Sequence, residues 1–74
     1  MRTPRQPKLL DMVAVTINTE DELIEVGDVG TVVELLPPDG LEVKFLDRDG
    51  RTRCLATLHV KNVLVLNRER TRVA

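Results

Sequence analysis

Cysteine occurs once, as Cys54, and histidine once, as His59; tryptophan and tyrosine are missing from the 74 residues. A single cysteine excludes an internal disulfide, and one cysteine with one histidine falls short of the four ligands of a structural zinc site. Without Trp or Tyr there is no aromatic-lined groove for polyproline ligands and no cage for a methylated lysine. The one aromatic residue, Phe45, alternates with charged neighbours and reads as core. No run approaches the roughly 18 apolar residues of a membrane helix. The opening residues carry Arg2, Arg5 and Lys8 but lack the apolar stretch of a secretory signal. Together with the lone cysteine, these absences point to the cytoplasm. Internal repeats and low-complexity tracts are absent too.

A chain this short buries only about 60% of its unfolded surface, and its core supplies about 3–5 kcal/mol. With every covalent staple missing, support from a second chain is expected. The net charge of −1 conceals a division: +3 over residues 1–10, −9 over residues 11–50 and +5 over residues 51–74. Three units follow from composition and pattern: a tail over residues 1–7, a folded barrel over 8–67, and a basic tail over 68–74.

Between the tails, short β-branched segments are separated by turn chemistry. The first strand is expected over residues 10–17, with Val13, Val15 and Ile17 on one face. Residues 18–25 are polar and acidic except for Leu23 and Ile24, which suits a long excursion tacked back onto the core. Residues 30–36 form the second strand, with Val32 and Val33 filling the interior. Gly27 and Gly30 bracket a bend where a side chain would clash or where φ must be positive. Pro37, Pro38, Asp39 and Gly40 spell a turn: proline fixes φ, aspartate bonds its own backbone, and glycine accepts positive φ. Leu41, Val43 and Phe45 then alternate with Glu42 and Lys44, the pattern of a half-buried strand. Asp47, Arg48, Asp49 and Gly50 close a hairpin, Gly50 taking the left-handed position. In the partner strand, residues 51–58, Thr52, Cys54, Ala56 and Leu58 share one face, and Arg51, Arg53, Leu55 and Thr57 the other. Residues 59–62 suit one 3-10 turn, and residues 63–66 a fifth strand. Five short strands, one long loop and one tight turn before the last strand describe an all-β, partly open barrel whose closure removes most sheet edges.

Val26-Gly27-Asp28-Val29-Gly30-Thr31-Val32-Val33-Glu34, then Leu41-Glu42-Val43-Lys44-Phe45-Leu46-Asp47 and Asp49-Gly50-Arg51-Thr52, resemble a family of small bacterial proteins known as a domain of unknown function. The resemblance spans residues 8–66, and the family's members resemble SH3-like barrels. The Gly27-to-Val33 segment is also similar to KOW modules of ribosome- and transcription-associated proteins. The resemblance implies an SH3-like fold and a small accessory protein acting beside a partner, and it carries over no catalytic residues.

Read from the residues alone, a phosphate-cradling glycine loop is excluded, because Gly30 leads into β-branched residues and not into a helix N-terminus. Catalysis needs a nucleophile with a base, a paired acid and base, or a metal. Cys54 and His59 are five residues apart with no third group to orient them. The acids Glu20, Asp21, Glu22, Glu25 and Asp28 lack calcium-loop spacing, so neither metal nor other cofactor is expected. The expected activity is non-catalytic binding of another protein or of a second copy, without a small-molecule substrate or a membrane. Its contact surfaces are the loop carrying Glu20, Asp21, Glu22 and Leu23, and the hairpin carrying Asp47, Arg48, Arg51 and Arg53. The competing reading is RNA or DNA binding by the basic C-terminal half, Arg51, Arg53, Lys61, Arg68, Arg70 and Arg72 contacting phosphates without aromatic stacking.

Overall fold

The computed structural model describes residues 6–66, and the expected basic C-terminal tail lies outside them, as does most of the N-terminal one. Five strands are formed: β1 (Met12–Val15), β2 (Val29–Leu36), β3 (Gly40–Leu46), β4 (Thr52–His59) and β5 (Val63–Val65), with a 3-10 turn (Val60–Asn62) before the last. All neighbours are antiparallel, in the order β4-β3-β2-β1-β5. The expected all-β architecture is therefore present. The sheet is not closed: β4 and β5 are its two edges.

Alternation puts one side of each strand inside. Val13, Val15, Val32, Leu41, Val43, Phe45, Ala56 and Leu58 form the core together with Ile24, which the long β1–β2 loop sends inward. Cys54, Val60, Val63 and Val65 pack around it. No charged or polar residue is buried among the described residues. Burial of these side chains is the main force holding the sheet, at about 25 cal/mol per Å² of apolar surface removed from water.

The limits of four strands differ from expectation, β5 ending at Val65, one residue short of the expected 66. β1 is shorter: the chain leaves the ladder at Thr16, whose N–H donates to Asn62 O at 2.9 Å, so Ile17 turns out to solvent and is half exposed. Upstream, Leu10 occupies a tight turn with φ 70°, held by the Asp11 N–H to Lys8 O bond and by Asp11 Oδ2 accepting from Lys8 N–H. β2 starts one residue early, at Val29, and β4 runs from Thr52 to His59.

Two β-bulges reset the faces. Val32 pairs with Val43 and Glu34 with Glu42, leaving Val33 as the extra residue. Val33 follows buried Val32 by one position, so strand alternation puts it on the outer face, half-buried and not in the core. Phe45 pairs with Cys54 but Leu46 with Thr52, leaving Arg53 as the extra residue in β4. A bulge bends its strand and re-aims the side chain it carries. Thr52 thus lies exposed, off the face shared by Cys54, Ala56 and Leu58.

The glycines divide by cause. Gly27 and Gly50 take φ of +97° and +84°, which side chains disfavour. Gly30 has no positive φ; a Cβ there would sit 2.6 Å from Val43 Cγ1 and 2.8 Å from Lys44 O, so β3 crosses β2 too closely for any side chain. Gly40, expected at positive φ, is instead the first residue of β3, where a Cβ would meet Leu36 O at 3.0 Å. Asp39 faces His59 Nε2 at 3.6 Å, an ion pair when His59 is protonated.

Candidate binding site

The β1–β2 loop is shaped by short side-chain turns. Thr19 Oγ1 accepts from Asp21 N–H at 3.1 Å, Asp21 Oδ1 accepts from Leu23 N–H at 2.9 Å, and Asp28 Oδ2 accepts from Glu25 N–H at 2.9 Å. These hold the backbone so that Ile24 is buried while Leu23, its neighbour, stays 56% exposed. Gly27 N–H and Val15 N–H then pair across the loop's neck with Val15 O and Asp28 O.

Arg53 crosses from β4 to this loop. Its guanidinium carbon lies 5.8 Å from the centre of the Phe45 ring, Nη1 donates to Leu23 O, and Nη2 meets Asp28 Oδ2 at 3.2 Å. The bulge makes this reach possible, because a regular strand would have left Arg53 on the outer face with Leu55 and Thr57. Asp28 is held below the ordinary aspartate range, first by the Glu25 N–H it accepts and then by the Arg53 hydrogen bond and charge, with desolvation opposing.

Past this clip, the loop and β4 diverge. A cleft of about 580 Å³ opens between them, lined by Asn18, Thr19, Glu20 and Asp21 on one side and Ala56, Thr57, Leu58 and His59 on the other, with Asn62 beside them. Thr57 Oγ1 is turned away from it and donates to Glu42 Oε1 at 2.9 Å. His59 Nδ1 accepts from Lys61 N–H at 3.1 Å, capping the 3-10 turn. The cleft therefore lies between the edge strand β4 and the loop segment that carries the carboxylates Glu20 and Asp21.

The residues singled out in the sequence fall into three groups. Glu20 and Asp21 line the cleft, with Glu22 and Leu23 beyond them at the exposed tip. Arg48 and Arg51 are exposed at the β3–β4 turn. Asp47 and Arg53 have internal partners: Asp47 Oδ1 accepts from Asp49 and Arg51 N–H at 2.9 and 3.0 Å, fixing the turn, and Arg53 clips the loop. Sequence reasoning passed over Thr57, Leu58 and Asn62 as cleft residues; strand position alone carries no sign of which edge stays open. Cys54 and His59 sit five residues apart on one strand and so on opposite faces.

A family model described as a domain of unknown function, DUF4926, matches residues 9–65, the span that holds all five strands, the clip and the cleft. The chain belongs to this family. No curated protein and no solved structure matches it. Among the described residues, no cluster of three or more His, Cys, Asp or Glu side chains is placed to hold a metal ion, and no helix is long and apolar enough to cross a membrane.

Proposed function

We propose that the chain is a non-catalytic, cytoplasmic accessory module with an SH3-like sheet that binds another polypeptide through the β1–β2 loop and the cleft beside it. The observation that carries this reading is the Arg53 clip. It fixes a loop rich in carboxylates against β4, so that Glu20, Asp21 and the exposed Leu23 form one side of a shaped surface and the β4 edge the other. A loop held in place loses less entropy on binding than a free one. The long loop after the first strand and the 3-10 turn before the last support the SH3-like reading.

Phosphate binding draws less support. Arg53 is committed to Asp28 and Leu23, and the 580 Å³ cleft carries Glu20 and Asp21, which repel a polyanion.

Capture from native lysate by the tagged chain tests the reading. Charge reversal at Glu20, Asp21 and Glu22 is expected to lose the captured partner, while a fold check by circular dichroism stays unchanged. Reversal at Arg48 and Arg51 is the comparison. If both variants retain every partner, the surface is misplaced. If capture vanishes steeply with salt and nuclease removes it, the phosphate reading replaces this one.

A further inference from the structure

We infer that the open stretch of the β4 edge, Leu55 to His59, takes an extended basic segment of a partner polypeptide as an added strand. This rests on the protein-binding reading above and specifies the form its partner takes.

The ladder determines which backbone groups are available. Val60 N–H donates to Asp39 O at 2.9 Å, one step beyond the Gly40–His59 pair. Antiparallel pairs alternate between exchanging both hydrogen bonds and none. Counting back from Asp39 and Val60, the pairs Leu41–Leu58, Val43–Ala56 and Phe45–Cys54 are the bonded ones. The N–H and C=O groups of Leu55, Thr57 and His59 therefore point away from β3, along the free edge. Ala56, Thr57, Leu58 and His59 line the 580 Å³ cleft, which gives room for a strand at the roughly 4.8 Å spacing of a sheet.

Sheets protect their edges by shortness, bulges, proline or inward charge. β5 is three residues long. The first part of β4 has the Arg53 bulge, and the Arg53 side chain reaches from it to the β1–β2 loop. Residues 55–59 have none of these devices, and Leu55 stands 53% exposed on them. An added strand would begin where the clip ends, which fixes its register.

The charge around the slot selects the occupant. Glu20 and Asp21 form the opposite wall; one strand inward on the outer face Glu42 and Lys44, opposite Thr57 and Leu55, offset each other, so the wall sets the sign, and His59 is already turned to Asp39. Lysine or arginine at alternate positions of an entering strand would meet these carboxylates. A second copy pairing through its own β4 would bring an identical acidic wall, like charge against like.

The test uses the full chain and a synthetic peptide alternating lysine with valine and threonine, with glutamate and lysine-glycine versions as controls, followed by amide NMR and hydrogen exchange. In the unliganded chain, the Leu55 and Thr57 amides should exchange fast while those of Ala56 and Leu58 are protected. The lysine-valine peptide should slow Leu55 and Thr57 and shift the Asn18–Asp21 signals, and the controls should not. Thr57→Pro, which removes an outward N–H, should weaken binding about tenfold or more, the equivalent of one or two net hydrogen bonds. Should Thr57→Pro unfold, reversal at Glu20 and Asp21 replaces it and must abolish lysine-peptide binding. Saturating peptide that leaves the Leu55 and Thr57 amides unprotected overturns the inference, as does concentration-dependent protection of both in the chain alone, which would assign the edge to a second copy. Peptide failure with lysate capture still sensitive to Glu20 and Asp21 sinks the added strand alone; insensitivity of both sinks the binding reading as well.

Discussion

The two halves of β4 share one partner strand and one sheet edge, yet one is tied to the β1–β2 loop and the other stands apart from it. Over Thr52–Cys54 the bulge turns Arg53 across the Phe45 ring to Leu23 and Asp28, so one side chain pins the loop to this half of the strand. Over residues 55–59 the strand is regular, the side chains alternate, and the loop stands off across a cleft. A single extra residue makes the difference. Re-aiming one side chain, at the cost of one ladder position, is what ties the loop to the edge strand here, and where the strand stays regular no such tie is made among the described residues.

The strongest way to break the contrast is to remove the floor of the tied half. Phe45 is fully buried. Phe45→Ala is expected to cost about 3–5 kcal/mol by urea denaturation, enough in a domain this small to collapse both halves together. A loss under about 1 kcal/mol would mean that the core does not run beneath Arg53 as described.

A more selective change acts on the clip. Arg53→Ala should destabilise the fold by no more than about 1 kcal/mol, because the Asp28 pair is one-third exposed. Its main effect is local: amides of the β1–β2 loop exchange faster while the Ala56 and Leu58 amides keep their protection. Arg53→Lys should behave like Arg53→Ala, since an ammonium lacks the fork that reaches Leu23 O and Asp28 at once. Equal acceleration across β4 would show the two halves to be one cooperative unit.

The smallest effect is a pH dependence. The folded carboxyl of Asp28 titrates below its unfolded value near 3.9, so its contribution is complete above that pH and is lost as acid protonates the folded form. Asp28→Asn should flatten the acid limb of stability against pH and leave the neutral region nearly unchanged. An unaltered acid limb would show that Asp28 is not anchored by Glu25 N–H and Arg53.

Much of the scaffold was legible in the residues. The alternation of Leu41, Val43 and Phe45 and Gly50 in its hairpin each rest on local chemistry that no distant contact overrides, whereas the turn after β2 forms over residues 37–39 with Gly40 drawn into β3. Ile17 and Val33 were misplaced for the opposite reason. Both have the apolar, β-branched character of a core residue, but Ile17 falls after the ladder ends and Val33, next to buried Val32, falls on the opposite face of its strand. The candidate site was legible in part: its acidic loop stands out by composition, whereas the edge strand opposite it is built of ordinary residues.

The sequence by itself determined an all-β chain with five strands, their turns and most of the core, because side-chain period, β-branching and turn residues act over a few positions. Tertiary structure alone decided where the ladder slips by a residue, where Arg53 reaches, and which stretch of β4 has no strand beside it among the described residues. Those depend on how twisted strands from opposite ends of the chain meet, and neighbouring residues carry no record of that meeting.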